Sequence, residues 1–81
     1  MRITVKGFAM LRTALGADAR TLEADPGATA ADLKPELLAR YPELADWMPY
    51  VRVALNREYR SWDAALQDGD ELALIPPVSG G

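Results

Sequence analysis

Residues 68–81 read DGDELALIPPVSGG, and this stretch decides the fold that we predict. The Asp-Gly pair at its start is a strong turn signal, and the pattern of residues 71–75 predicts the last strand of the chain. Both faces of this strand are apolar, because leucines on one face alternate with Ala73 and Ile75 on the other. Such a strand is usually central in its sheet and covered on both sides. The chain has helix enough to cover one face well, so the other is either open to a partner or covered by residues 43–50.

The end of the same stretch predicts an extended tail. Two prolines after the strand exclude helix and further ladder hydrogen bonds. Gly80 and Gly81 have no side chains, so they suit a backbone that threads a narrow slot. Small residues also occur at ends that merely fray, but a strand, a Pro-Pro spacer and Gly-Gly in succession favour a functional tail. We therefore divide the chain into a domain over residues 1–76 and a flexible tail over 77–81, which when extended reaches roughly 17 Å.

Composition predicts a single small globular domain and excludes several classes of function. The 81 residues are 49% hydrophobic, and they include neither cysteine nor histidine. Disulfides, thiolate catalysis and histidine-based catalysis are therefore excluded. Nine basic against twelve acidic residues give a net charge of −3, which disfavours nucleic-acid binding. No signal segment or membrane-spanning run is apparent, so we expect a cytoplasmic protein without membrane contact.

Working back from the last strand, the pattern predicts the order β-α-β-α-β-β-β. Pro35 conflicts with the main helix, which either kinks there or begins its regular part near that residue. Residues 43–50 look irregular, and Asp63 predicts a capped helical turn over 64–66. The first and last strands need central places, which gives an α+β fold with a mixed four- to five-stranded sheet packed against one main helix. The predicted strands are 2–8, 19–24, 51–55, 58–61 and 71–75, and the predicted helices are 9–15 and 30–41.

The chain lacks a plausible catalytic set of its own. No Gly-rich phosphate loop, metal-ligand spacing or nucleophile–base pair is present. Asp68, Asp70 and Glu71 form an acidic cluster, but the turn itself requires Asp-Gly, so we favour a structural role. The reactive group that remains is the carboxylate of Gly81. Adenylation by ATP on another enzyme, followed by attack of a sulfur nucleophile, would convert it to a thiocarboxylate.

Three segments resemble the MoaD/ThiS family of sulfur carriers, namely residues 8–12 (FAMLR), 54–59 (ALNREY) and 68–81. The resemblance implies a ubiquitin-like β-grasp fold. It also implies that a MoeB-type activating enzyme uses ATP to adenylate Gly81, and that the chain itself binds no cofactor or metal. The tail would then enter a MoaE-type large subunit of molybdopterin synthase, in an assembly of two small and two large subunits. There it would donate sulfur for molybdenum cofactor biosynthesis.

The resemblance also implies roles for individual residues. Gly81 would carry the sulfur, as the site of the adenylate and the thiocarboxylate. Two sites depart from the family pattern: Gly7 stands where some members have a bulky residue, and the pair Leu74-Ile75 stands where aromatics are frequent. The expected contacts with the partners are Phe8, Leu66, Leu74, Ile75, Pro76, Pro77, Val78, Ser79 and Gly80.

Several alternatives remain open at this level. Related sulfur carriers serve thiazole, cysteine or secondary-metabolite biosynthesis, and a ubiquitin-like protein modifier would use the same activated carboxylate to acylate lysines. A plain interaction module with an inert tail is a third possibility. An autonomous enzyme is the least supported.

Overall fold

Five strands form one mixed sheet in the spatial order β2-β1-β5-β3-β4. The computed structural model describes residues 1–77, and every structural statement below concerns that part of the chain. β1 and β5 run parallel at the centre, with Val5 opposite Leu72, whereas the other neighbouring pairs are antiparallel. The predicted mixed sheet and the central places of the first and last strands are therefore confirmed. The strands are β1 (Arg2–Gly7), β2 (Ala19–Glu23), β3 (Arg52–Leu55), β4 (Glu58–Arg60) and β5 (Glu71–Ile75).

Alternating apolar residues place the core on one face of the sheet. Ile3, Val5, Leu72 and Leu74 on the two central strands are fully buried. The helices α1 (Met10–Leu15) and α2 (Lys34–Arg40) cover this face. The core residues that they contribute are Leu11, Leu15 and Leu37.

The main helix begins later than the pattern predicted. A 3₁₀ turn, Ala30–Leu33, precedes α2, and Pro35 lies in the first turn of the α-helix. Proline is tolerated there, because the first helical N–H groups have no intrahelical acceptor. The Asp32 carboxylate accepts a hydrogen bond from the Thr29 backbone N–H at 2.8 Å and so fixes the entry to the turn. Of the two alternatives for Pro35, a regular helix that starts beside it is correct.

The prediction of a helical turn over residues 64–66 is wrong. Residues 62–66 instead run alongside the segment before the 3₁₀ turn, and Thr29 forms an isolated antiparallel bridge with Ala65. Ala30 N–H donates to Ala64 O at 3.0 Å, and Leu66 N–H donates to Ala28 O at 2.9 Å. These long-range bonds satisfy backbone groups that a local helical turn would have left to water.

Residues 43–50 are more regular than expected. Apart from Trp47, they lie in two short 3₁₀ helices, Pro42–Asp46 and Met48–Tyr50, whose Leu44 and Met48 join the helix-side core. The buried part of this segment therefore covers the same face as the helices. We call the opposite face of the sheet the open face. The small side chains of Ala54 and Ala73 are buried at its centre, and the side chains around them are exposed or half-buried.

Two glycines and one turn fix how the elements connect. A Cβ on the buried Gly7 would lie 2.8 Å from Leu15 Cδ1 and 2.9 Å from Arg12 N, so β1 approaches α1 closely at this residue. Gly16 ends α1 in the left-handed conformation, with its N–H donating to Arg12 O at 3.0 Å, which is a common form of helix C-cap. Asn56 and Arg57 both have positive φ, as a two-residue hairpin turn between β3 and β4 requires.

Over residues 1–77, no helix has the length and apolar character that crossing a membrane would require.

Candidate functional site: the root of the tail

β5 delivers the chain to a cleft at the edge of the open face. This cleft, of about 440 Å³, is the candidate functional site, and we call it the tail-root cleft. Since β5 is hydrogen-bonded on both sides, to β1 and to β3, the point where the chain leaves the sheet is firmly anchored. Its lining residues are Tyr50, Arg52, Tyr59, Ile75, Pro76 and Pro77.

Strand register explains why these residues meet. Arg52 on β3 lies directly opposite Ile75 on β5, and Tyr59 on β4 lies opposite Ala54. Ala54 in turn lies opposite Ala73, so two small side chains separate the tyrosine from the centre of the sheet. Cross-strand neighbours of this kind have Cβ atoms about 5 Å apart, close enough to form one continuous surface.

The exposed part of the site is aromatic and carries one cation. Tyr50 is 65% exposed and Tyr59 is 70% exposed, and Arg52 is exposed between β4 and β5. Large exposed aromatic side chains beside an arginine are the composition found at the energetic centres of protein interfaces. The surface is therefore suited to contact with another protein.

The structure brings some of the predicted partner contacts together at this edge. Ile75, Pro76 and Pro77 are half-buried at the cleft. Phe8 is 46% exposed and follows Gly7, which pairs with Leu74, so it lies at the same end of the sheet.

Two other predicted contacts lie in the core. Leu74 is fully buried and Leu66 is only 4% exposed, so in the free chain their side chains stabilise the fold and offer no surface. Their contact with a partner stays a prediction, and it would have to involve backbone atoms or rearrangement. Val78, Ser79, Gly80 and Gly81 lie outside the described residues, and with them most of the predicted tail.

Sequence reasoning missed the other half of the cleft. Tyr50, Arg52 and Tyr59 come from the 3₁₀ helix and the hairpin before the last strand. Arg52 alternates with the core residue Val53, which marked it as outward-facing, but nothing in the pattern placed β3 beside β5 rather than at an edge. Tyr59 carried a weaker signal, as an aromatic residue in a short strand of otherwise charged residues.

The acidic cluster near the start of β5 is structural. Asp70 accepts hydrogen bonds from Asn56 Nδ2 at 2.9 Å and from the Gln67 N–H at 2.7 Å. Asp68 accepts one from the Arg2 N–H at 2.7 Å. Carboxylates used in this way hold two turns together. Within residues 1–77, no group of three potential ligands is placed to hold a metal ion.

Both lysine side chains make specific contacts. Lys6 Nζ lies 3.7 Å from Glu71 Oε1 on the open face. Lys34 Nζ lies 4.2 Å from the centroid of the Trp62 ring, within the range of a cation–π interaction. Trp62 is itself held by its Nε1–H, which donates to Val51 O at 3.1 Å.

A sequence profile of the ThiS family matches residues 5–81. The chain belongs to the ThiS family. The resemblance to MoaD/ThiS sulfur carriers that the sequence indicated is thereby confirmed.

Relatives of this ThiS-family chain include two molybdopterin synthase sulfur carrier subunits. The chain is 45% identical to that of Chlamydomonas reinhardtii over 83 residues, covering 100% of both chains. It is 40% identical to that of Arabidopsis thaliana over 81 residues, covering 100% of this chain and 84% of the relative.

Solved structures of similar proteins confirm the ubiquitin-like β-grasp fold. The putative molybdopterin converting factor subunit 1 of Pyrococcus furiosus matches with a TM-score of 0.86 and 32% identity, covering 96% of this chain and 99% of the other. The small archaeal modifier protein 1 of Haloferax volcanii matches with a TM-score of 0.84 and 29% identity, covering 95% and 98%. A chain in the complex of subunits 1 and 2 of the molybdopterin-converting factor of Helicobacter pylori matches with a TM-score of 0.73 and 26% identity, covering 100% of each chain.

Proposed function

We propose that this chain is a sulfur carrier that acts as the small subunit of molybdopterin synthase, with Gly81 as the residue that bears the sulfur. The observation that carries the proposal is the full-length match to relatives with that name, together with a family match that extends through residue 81. The cleft geometry adds to it, because the chain leaves the sheet at a firmly anchored point beside an exposed aromatic surface.

In the proposed chemistry the Gly81 carboxylate attacks the α-phosphorus of ATP, which releases pyrophosphate and leaves an acyl adenylate. A sulfur nucleophile then attacks the acyl carbon and displaces AMP. When that nucleophile is a persulfide, the product is an acyl disulfide. A thiol then attacks the donor sulfur and breaks the S–S bond, which leaves a thiocarboxylate on Gly81 and a disulfide between the donor and that thiol. A MoeB-type activating enzyme supplies the ATP site. The chain contributes the acyl group and its presentation, and it is not catalytic alone.

The proposed partners follow from the same family. A large subunit of the MoaE type would receive the tail, in an assembly of two small and two large subunits. The complex of subunits 1 and 2 that contains the similar Helicobacter pylori chain supports a partner of this kind. We further propose that residues 1–76 act as the docking domain and 77–81 as the inserted tail, in the cytoplasm, where ATP is supplied.

A mass spectrum of the C-terminal peptide tests the proposal. The chain is incubated with ATP, a sulfur source and the cognate activating enzyme, then alkylated, and we expect an adduct on Gly81 that requires ATP. Alkylation is needed because exchange of oxygen for sulfur adds nearly the same mass as oxidation of Met1, Met10 or Met48.

The matched control is a chain that lacks Gly81 and therefore ends at Gly80. We expect it to remain folded and unmodified under the same conditions. An unmodified wild-type tail, with an authentic carrier modified in parallel, would contradict the proposal.

A ubiquitin-like protein modifier is the second candidate function, because the small archaeal modifier protein 1 has a closely similar fold. The two functions differ in the fate of the activated carboxylate. Covalent conjugates of this chain with cellular proteins would indicate a modifier, whereas a free thiocarboxylate that is consumed by the large subunit with its pterin substrate would indicate the carrier. A thiocarboxylate consumed in another pathway would point to a different sulfur acceptor.

A further inference from the structure

We propose that the partner surface that receives the tail presents a carboxylate to Arg52 and packs apolar groups on Tyr50 and Tyr59. This inference rests on the proposed function, since it describes the protein surface that closes around the tail. It assigns to Arg52 a role in selecting the partner.

Arg52 lies where a partner that receives the tail would contact it. It lies directly opposite Ile75 and lines the tail-root cleft together with Pro76 and Pro77. The tail leaves the sheet from this cleft. A protein that encloses the chain beyond Pro77 therefore also covers the guanidinium group of Arg52.

Arg52 and its hairpin neighbours Arg57 and Arg60 make no ion pair within residues 1–77, whereas several cations elsewhere on the chain do. Lys6 pairs with Glu71, Arg2 with Glu23, and Arg12 with Asp18. Covering an uncompensated guanidinium is costly, whereas a carboxylate in the fork of an arginine makes two parallel, charge-assisted hydrogen bonds.

The acids near the start of β5 are too far away to serve as that partner. Glu71, Asp70 and Asp68 lie at or before the start of β5, whereas Arg52 is level with its end at Ile75. Four residues of strand separate these points by about 13 Å. No acid of β5 therefore lies beside Arg52, which favours a partner whose acidic group faces the tail.

The two neighbouring tyrosines indicate which groups should surround the carboxylate on the partner surface. Tyr50 and Tyr59 are the two most exposed large apolar side chains within residues 1–77. Both line the cleft with Arg52, so a carboxylate that reaches the guanidinium must be flanked by groups that contact aromatic rings. This is the chemistry of a protein surface with an acidic side chain in an apolar setting, and the net charge of −3 argues against a polyanion.

The test measures binding of the unmodified full chain to the purified cognate large subunit by titration calorimetry at low salt. We expect Arg52→Glu to weaken binding at least about 30-fold, and Arg52→Gln to weaken it less. The matched control is Arg57→Glu, which changes the net charge equally at the far end of the β3–β4 hairpin and should alter affinity less than about 2-fold. Thermal unfolding of each variant verifies that the fold is retained.

Two further measurements separate an ion pair from simple packing. Wild-type affinity should fall as salt increases, and the slope should be smaller for Arg52→Gln. Replacing the acidic residue of the large subunit by lysine should restore binding to Arg52→Glu. If Arg52→Glu and Arg57→Glu bind the large subunit with equal affinity, the role proposed for Arg52 is overturned, but the proposed function is not. Failure of the wild-type chain to bind the large subunit would overturn both this inference and the proposed synthase subunit, whereas the Gly81 adduct tests carrier chemistry independently.

Discussion

At the scale of single residues, Gly7 is where the chain tolerates least change. A methyl group there would meet the Leu15 side chain and the backbone of α1 at 2.8–3.0 Å. We expect Gly7→Ala to lower the free energy of unfolding by about 1–3 kcal/mol, as overpacking of a core does. Urea denaturation measures this.

The matched control for Gly7→Ala is Lys6→Ala, on the adjacent residue of β1 and the opposite face of the sheet. It removes only the half-exposed ion pair with Glu71, so its cost should stay below about 1 kcal/mol. Equal stability of Gly7→Ala and the wild type would show that β1 and α1 separate easily.

Residue patterns were a better guide to the side chains that face the core than to those that are accessible to a partner. Alternation in β5 placed Leu72 and Leu74 on one face, and both are fully buried there. Leu66 was expected at a partner surface but lies in the core. Its burial results from the long-range pairing of residues 62–66 with residues 28–31, which no local periodicity reports.

At the scale of elements, Asp70 and Asn56 join the β3–β4 turn to the turn before β5. Asn56 donates to Asp70, and Asn56 Oδ1 accepts from the Glu71 N–H at 3.0 Å. We expect Asp70→Ala and Asn56→Ala each to cost about 0.5–1.5 kcal/mol of stability, because each removes hydrogen bonds that lie in solvent-exposed turns.

The two effects should be markedly less than additive in the double variant, since they remove one network. Chemical denaturation of the four proteins measures the coupling. Fully additive losses would contradict a shared network. Neither variant should alter sulfur loading of Gly81, which would separate the structural role of these residues from a catalytic one.

Element boundaries were predictable where a local rule applies. The Gly16 cap and the Asn-Arg turn follow from positive-φ conformations that few residues adopt, and the limit set by Pro35 follows from its missing N–H. The supposed helix over 64–66 failed because a capping Asp63 and three helix-compatible residues also suit an extended segment that finds backbone partners elsewhere. Local propensity is weak enough for such tertiary pairing to override it.

At the scale of the whole molecule, the parallel pairing of β1 with β5 makes folding depend on both ends of the domain. Removing residues 70–81 takes away the strand between β1 and β3, and we expect that protein to be unfolded in far-UV circular dichroism and in thermal scans. Removing only residues 78–81 spares all five strands, so the midpoint of thermal unfolding should change by less than about 3 °C.

The shorter truncation should nevertheless lose all sulfur loading. A folded but inactive protein would assign residues 1–77 to the fold and the last four residues to the chemistry. Loss of the fold with the last four residues would contradict this division.

The whole-molecule prediction succeeded because the last strand is apolar on both faces and short, which leaves few places for it in a sheet. The tail-root cleft was only half predicted. Its β5 side could be predicted, because it is the segment just before the tail. Whether Tyr50, Arg52 and Tyr59 lie beside that segment depends on the order of the strands in the sheet, and the pattern of apolar residues is compatible with several strand orders.

The contacts of the two lysines have a consequence for the lifetime of an activated tail. Acyl adenylates are captured by free amines, thiols and imidazoles, and this chain has neither cysteine nor histidine and only two lysines. Lys6 is paired with Glu71, Lys34 lies over Trp62, and the Met1 amino group donates to Ala24 O at 2.7 Å. The molecule thus presents few competing nucleophiles to its own electrophile, so we expect little self-acylation, and the choice of acceptor is left to whichever protein holds the tail.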